Sequence, residues 1–178
     1  MKTKRAIKAL FAATPRSSLS RLPDTVGLAI LDYCKESDAL PSGDVAPKIF
    51  ADVPATLLEI PTDLVKQALM ECSEIKNDFG SSFEAYHAWY LKSNDVPSYG
   101  LTGRWPCILS DFKDEVFQDG SHRFHAYVAG GHETIPVLPY DSKAWWKAQK
   151  LWLMHLLPDQ EADVSSRPIR LSPTQRAR

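Results

Sequence analysis

Apolar residues recur along this chain with two different periods, and the switches between them set out an α/β order of elements. In Lys4–Ala13, Ile7, Leu10 and Phe11 fall at helical spacing. Asp24 is placed to cap a second helix running to about Tyr33, with Val26, Ile30 and Tyr33 on one side. Residues 36–56, rich in Pro, Asp, Ser and Gly, read as a loop or linker. Leu57–Ile60 is a short strand candidate, and Pro61 and Thr62 lead into a helix from about Asp63 to Ile75. Phe83–Lys92 predicts another helix, with Phe83, Tyr86, His87 and Tyr90 on one face. A turn-rich stretch, Asn94–Arg104, precedes two strand candidates, 105–109 and 115–119, around a polar turn. A helical run, Ser121–Gly131, and an apolar run, Ile135–Leu138, make 115–138 a strand–helix–strand unit. A connection of that kind between parallel strands is right-handed and sets the helix N-terminus at the sheet's carboxyl edge.

Asp141 and Ser142 cap a last helix that Pro158 ends. Trp145, Ala148, Trp152 and His155 form one stripe on it, and Trp146, Leu153 and Leu157 a second. One stripe is expected in the core; the other suits a partner interface. Beyond Pro158 the chain is Ser-, Pro- and Arg-rich without period and reads as a disordered tail. The expected organisation is a basic helical extension (1–44), an α/β domain with a small mixed sheet flanked by helices (45–158), and a tail (159–178).

The 178 residues suffice for one domain with a real core. No apolar run is long enough to span a membrane, and Ala6–Ala13, interrupted by Lys8, is short for a signal segment. A cytoplasmic location is therefore expected. Cys34, Cys72 and Cys107 are widely spaced and odd in number, so neither a disulfide framework nor a metal spacing is readable. Residues 1–21 carry six basic side chains and no acidic one, whereas residues 22–160 carry eleven basic and twenty acidic. An acidic body is a poor general DNA surface; the basic arms are either solvated tails or the part that neutralises phosphate.

The chemistry concentrates at Asp119–Arg123. Gly120 permits a tight turn and a close ligand approach. Ser121 is a good N-cap, and the free N–H groups of the first helical turn favour phosphate. Arg123 adds a fork of donors and His122 a titratable imidazole fit for general-acid work. Asp111, Asp114, Glu115 and Asp119 cluster just upstream, and Glu115 and Asp119 are the best placed to hold Mg²⁺. The bland reading is a helix start whose Arg and His bond nearby carboxylates, with Asp119 orienting the loop. His125 either faces the pocket or packs on the sheet. Tyr86, Trp89, Tyr90, Tyr99 and Trp105 are core residues or, as the lesser reading, a base-stacking platform.

Asp119-Gly120-Ser121-His122-Arg123, followed by Gly131 and then Ile135-Pro136-Val137, resembles the signature of the ParB/sulfiredoxin superfamily. Upstream, Glu59–Val65 resembles its first core strand and the helix start after it, and Trp105–Leu109 the strand before the box, so the likeness covers roughly residues 53–140. It implies that Gly120, Ser121, His122 and Arg123 contact a nucleotide phosphate. Sulfiredoxins need a cysteine where Ser121 stands, which argues against peroxiredoxin repair, and no helix-turn-helix reader follows the box. What is left resembles the short, stand-alone, Osa-like branch of plasmid fertility inhibition factors, which block conjugative or T-DNA transfer. That branch implies ATPase and DNase activity, ATP and Mg²⁺ as cofactors, and ATP/ADP and DNA as ligands. It also implies a conjugation or secretion component as partner, with peripheral contact at the inner membrane. In this reading Arg123, His122, Asp119 and Glu115 are catalytic. The alternatives are a non-enzymatic interaction protein docking through its last helix, and a sequence-specific DNA binder.

Overall fold

The computed structural model describes residues 2–36, 54–94, 96, 104–110, 114–139 and 143. The fold is mixed α/β. A four-stranded sheet takes strands β3 (Leu58–Pro61), β6 (Thr134–Pro139), β4 (Cys107–Leu109) and β5 (Phe117–Asp119) in that spatial order. β1 (Ser17–Ser18) and β2 (Pro54–Ala55) form a separate antiparallel pair. The helices are α1 (Lys2–Ala13), α2 (Asp24–Glu36), α3 (Thr62–Met70), α4 (Ser73–Phe79), α5 (Phe83–Ser93) and α6 (Ser121–Ala129). A short 3₁₀ turn at Leu19–Arg21 precedes α2.

The pairing corrects the expected strand–helix–strand crossover. β4 and β5 are antiparallel, with Ile108 opposite Asp119 and Leu109 opposite Phe117. Only residues 110–116 separate them, and a parallel return needs about a dozen residues or more. The parallel pair is β4 with β6, Cys107 opposite Val137 and Leu109 opposite Pro139. β5 and α6 together make up that crossover. Because β5 runs antiparallel to β4, and β4 parallel to β6, α6 starts at the amino ends of β4 and β6 and not at their carboxyl edge.

β6 lies between β3 and β4, and Ile135–Leu138 is buried throughout. One apolar cluster joins Ile60, Val65, Ala68, Leu69, Phe83, Tyr86, Tyr90, Leu109, Phe124, Tyr127, Ile135 and Val137. Ile7 of α1, read in the sequence as part of the extension, belongs to the same cluster. Thr3 ties α1 down further: its N–H and hydroxyl donate to the Glu71 carboxylate, the hydroxyl at 2.6 Å. The buried Lys4 ammonium donates to the Glu115 carbonyl.

The single helix expected over 63–75 is two. Glu71 ends α3, and Cys72 turns extended at φ −71°, ψ 131° before α4 begins. That turn keeps the Cys72 thiol buried, 3.6 Å from the Ala68 carbonyl. α3 has no side-chain cap of its own. Instead Thr62 N–H donates to the Glu133 carbonyl at 2.8 Å and its hydroxyl to His132 O at 2.6 Å, which fixes the loop leading into β6. α5 does carry the expected sort of cap, Ser82 Oγ accepting from Ala85 N–H at 3.2 Å.

Leu19, Val26, Ala29 and Ile30 are buried, yet none of them joins the main cluster among the described residues. The Trp-rich helix expected after Asp141 and the tail lie outside the described residues, as do Tyr99 and Asp111. No described helix is long and apolar enough to cross a membrane.

Candidate functional site: the start of helix α6

Gly120, and not Ser121, occupies the N-cap of α6. Its φ of 86° is left-handed, and its carbonyl accepts the first helical bond from Phe124 N–H at 2.8 Å. A Cβ there would meet the Cys107 Cα and the Arg123 Nε at 3.0 Å, so only glycine fits without displacement. Ser121 makes no side-chain cap because the turn is closed from the other side: Asp119 Oδ1 accepts from Gly120 N–H at 2.5 Å. Ser121 is half-buried and His122 exposed, while Gly120 and Arg123 on either side are buried.

Arg123 is where the arrangement departs most from the expected phosphate clamp. Its residue exposure is only 5%. Nη2 donates to Asp119 Oδ2, one helical turn back, and Nη1 donates to Asp32 Oδ2 of α2 at 3.2 Å. The guanidinium also stands 5.9 Å from the Trp105 ring. The two carboxylates hold it charged against the cost of burial. Arg123 Nε is buried without a partner among the described residues.

The same contacts bear on the metal assignment. Both Asp119 oxygens are engaged, one by Gly120 N–H and one by Arg123, so Asp119 orients the turn. Glu115 is exposed before β5, with Oε2 3.4 Å from the Ser110 hydroxyl. Among the described residues no group of three or more His, Cys, Asp or Glu gathers as a metal site. Asp119 and Glu115 do not fit as a Mg²⁺ pair.

Behind the exposed corner stands a column of stacked rings that the sequence did not reveal. The Tyr90 ring stacks on His125 with centroids 3.8 Å apart, and its hydroxyl lies 3.3 Å from His122 Nδ1. His125 Nδ1 is 2.7 Å from His87 Nδ1, and Phe83 stacks on both imidazoles. Burial pushes the Tyr90 phenol up, so its hydroxyl keeps its proton. His125 is fully buried and held down to about 3, first by burial and then by His87 and His122. It therefore packs and does not face a ligand.

Tyr86 and Tyr90 belong to the core and so are not free to stack a base. Trp89 is 48% exposed but leans on Phe79 at 5.3 Å and on Tyr86. Cys72 and Cys107 are free, buried thiols, and burial pushes Cys107 up to about 12. The residue that sequence reasoning missed at the box itself is Asp32. It is 91 positions from Arg123, and nothing in its local pattern marks it. No family model, no curated protein and no solved structure matches this chain.

Proposed function

We propose that the start of α6 binds the phosphates of a nucleotide and that the chain is a phosphohydrolase of the ParB/sulfiredoxin type. The observation that supports this reading best is the left-handed Gly120 at the N-cap of α6, with the half-buried Ser121 and the exposed His122 in the first turn after it. The Ser121 and His122 amides and the Ser121 hydroxyl hold phosphate oxygens. His122 is the general acid. Water attacks the terminal phosphorus, the bridging P–O bond breaks, the protonated His122 imidazolium gives its Nε2 proton to the departing oxygen, and the proton shed by the attacking water passes to solvent. Asp119 shapes the turn and acts through it, and Arg123, paired with Asp119, sets a positive charge beside the phosphate. ATP is the ligand the resemblance implies, with ADP and phosphate as products. The same step on a phosphodiester would cut DNA, the activity expected of a fertility inhibition factor.

A sensitive phosphate-release assay on wild type and His122→Ala tests this. Because His122 is exposed, the variant keeps its fold while the rate falls by about 10²-fold or more. Equal background rates in both proteins discard the hydrolase. Arg123→Ala is the poorer test, since it leaves Asp119 and Asp32 without their cation and unsettles the turn.

The pairing of Arg123 with two carboxylates favours a second reading, a non-enzymatic interaction protein in which the box is a structural clamp. In that case His122→Ala and Ser121→Ala change neither nucleotide binding nor stability.

A further inference from the structure

We propose that Asp32 is a built-in competitor for the anion site, and that ligand phosphate releases α2 by taking over Arg123 Nη1; this rests on the phosphate-binding reading above. Arg123 is flanked by Asp119 and Asp32, so with both carboxylates in place the corner carries one net negative charge and repels an anion. With Asp32 withdrawn, Arg123 and Asp119 balance, and the amides of the first turn meet no opposing field. The two carboxylates differ in kind. Asp119 is 13% exposed and locked into the Gly120 turn, whereas the Asp32 side chain is 46% exposed and arrives from a separate helix at 3.2 Å.

α2 is held at this corner by polar contacts. The neighbouring Tyr33 hydroxyl accepts from Gln118 Nε2 at 2.9 Å on β5, and Asp32 takes Arg123. The Asp32 end of the ion pair is half exposed, so water competes for it. A phosphate dianion offers Nη1 more charge than a carboxylate does. The orphaned, buried Arg123 Nε shows that the guanidinium's donors are not all used in the latched form. Ligand affinity in wild type is then reduced by the fraction of molecules in which Asp32 is engaged.

The test compares wild type, Asp32→Asn and Tyr33→Phe for binding of a β,γ-non-hydrolysable ATP analogue and of pyrophosphate, with hydrogen exchange of the α2 amides. The expected result is Asp32→Asn binding about tenfold tighter and Tyr33→Phe tightening less. Exchange in α2 should be faster in unliganded Asp32→Asn than in wild type, and faster in wild type once ligand is added. Binding by Asp32→Asn that equals or falls below wild type overturns the latch while leaving the phosphate site standing. Absence of binding in all three proteins overturns both, and α2 exchange that ignores ligand in a protein that does bind overturns the release.

Discussion

Gly120 and Gly131 share left-handed backbone, with φ of 86° and 70°, yet their surroundings differ. A Cβ at Gly131 meets nothing within 4 Å, whereas at Gly120 it presses on the Cys107 backbone. Gly131→Ala should therefore cost only the left-handed penalty, about 1–2 kcal/mol. Gly120→Ala adds a steric clash, and its melting temperature should fall clearly below that of Gly131→Ala; equal melting points would show that the close approach at Cys107 is relieved cheaply. His125 supplies a second prediction at this scale. Unfolded, it takes up a proton near its ordinary 6.5; folded, it holds out to about 3. Between these values the unfolded chain binds the extra proton, so stability rises with pH by about 1.4 kcal/mol per unit for one group. That contribution is complete above 6.5 and drains away as the medium is acidified. His87, lowered chiefly by burial, acts in the same sense. Melting curves from pH 4 to pH 8 check this: His125→Phe, which keeps a ring against Tyr90, should flatten the acid limb. An unchanged slope would mean that His125 charges freely in the folded protein.

At the scale of elements, α1 is a structural part of the core. Ile7 is 2% exposed, and removing its side chain beyond Cβ should destabilise the protein by about 2–5 kcal/mol. Chemical denaturation of Ile7→Ala measures this; a loss below about 0.5 kcal/mol would mean that α1 merely lies on the surface. The periodic helices were legible because each buries one stripe: Ile7 in α1, Val26 and Ile30 in α2, Phe83, Tyr86 and Tyr90 in α5. The break at Cys72 was not legible. Nothing between Asp63 and Ile75 is a helix breaker, and Glu71, where α3 ends, is held by Thr3 from far away in the chain. The direction of β5 was misread for a related reason. The run 115–119 names a strand, but its partner is set by the short turn before it, and the helix after it fits either topology.

For the whole molecule, the sheet edge is stapled by Arg104, which grips Glu59 at 3.1 and 2.6 Å and the Thr134 carbonyl at 3.0 Å, joining the loop before β4 to β3 and β6. Both partners are half exposed, so Glu59→Gln should cost no more than about 1 kcal/mol and less at high salt; a larger loss in thermal melts would show that the staple governs sheet assembly. The chain's charge layout, a basic amino-terminal stretch beside an acidic body, was plain from composition, but which charges meet was not. Sequence alone determined the helices with clear stripes, the strands with continuous apolar runs, and the turn at Gly120, because these rest on spacing and on backbone freedom within a few residues. The tertiary structure alone decided that Arg123 answers to Asp32, that Asp119 is spent on the turn, and that His125 sits stacked beneath Tyr90. Those are contacts between residues far apart in the chain, and burial and charge are properties of the packed whole, which local pattern does not carry.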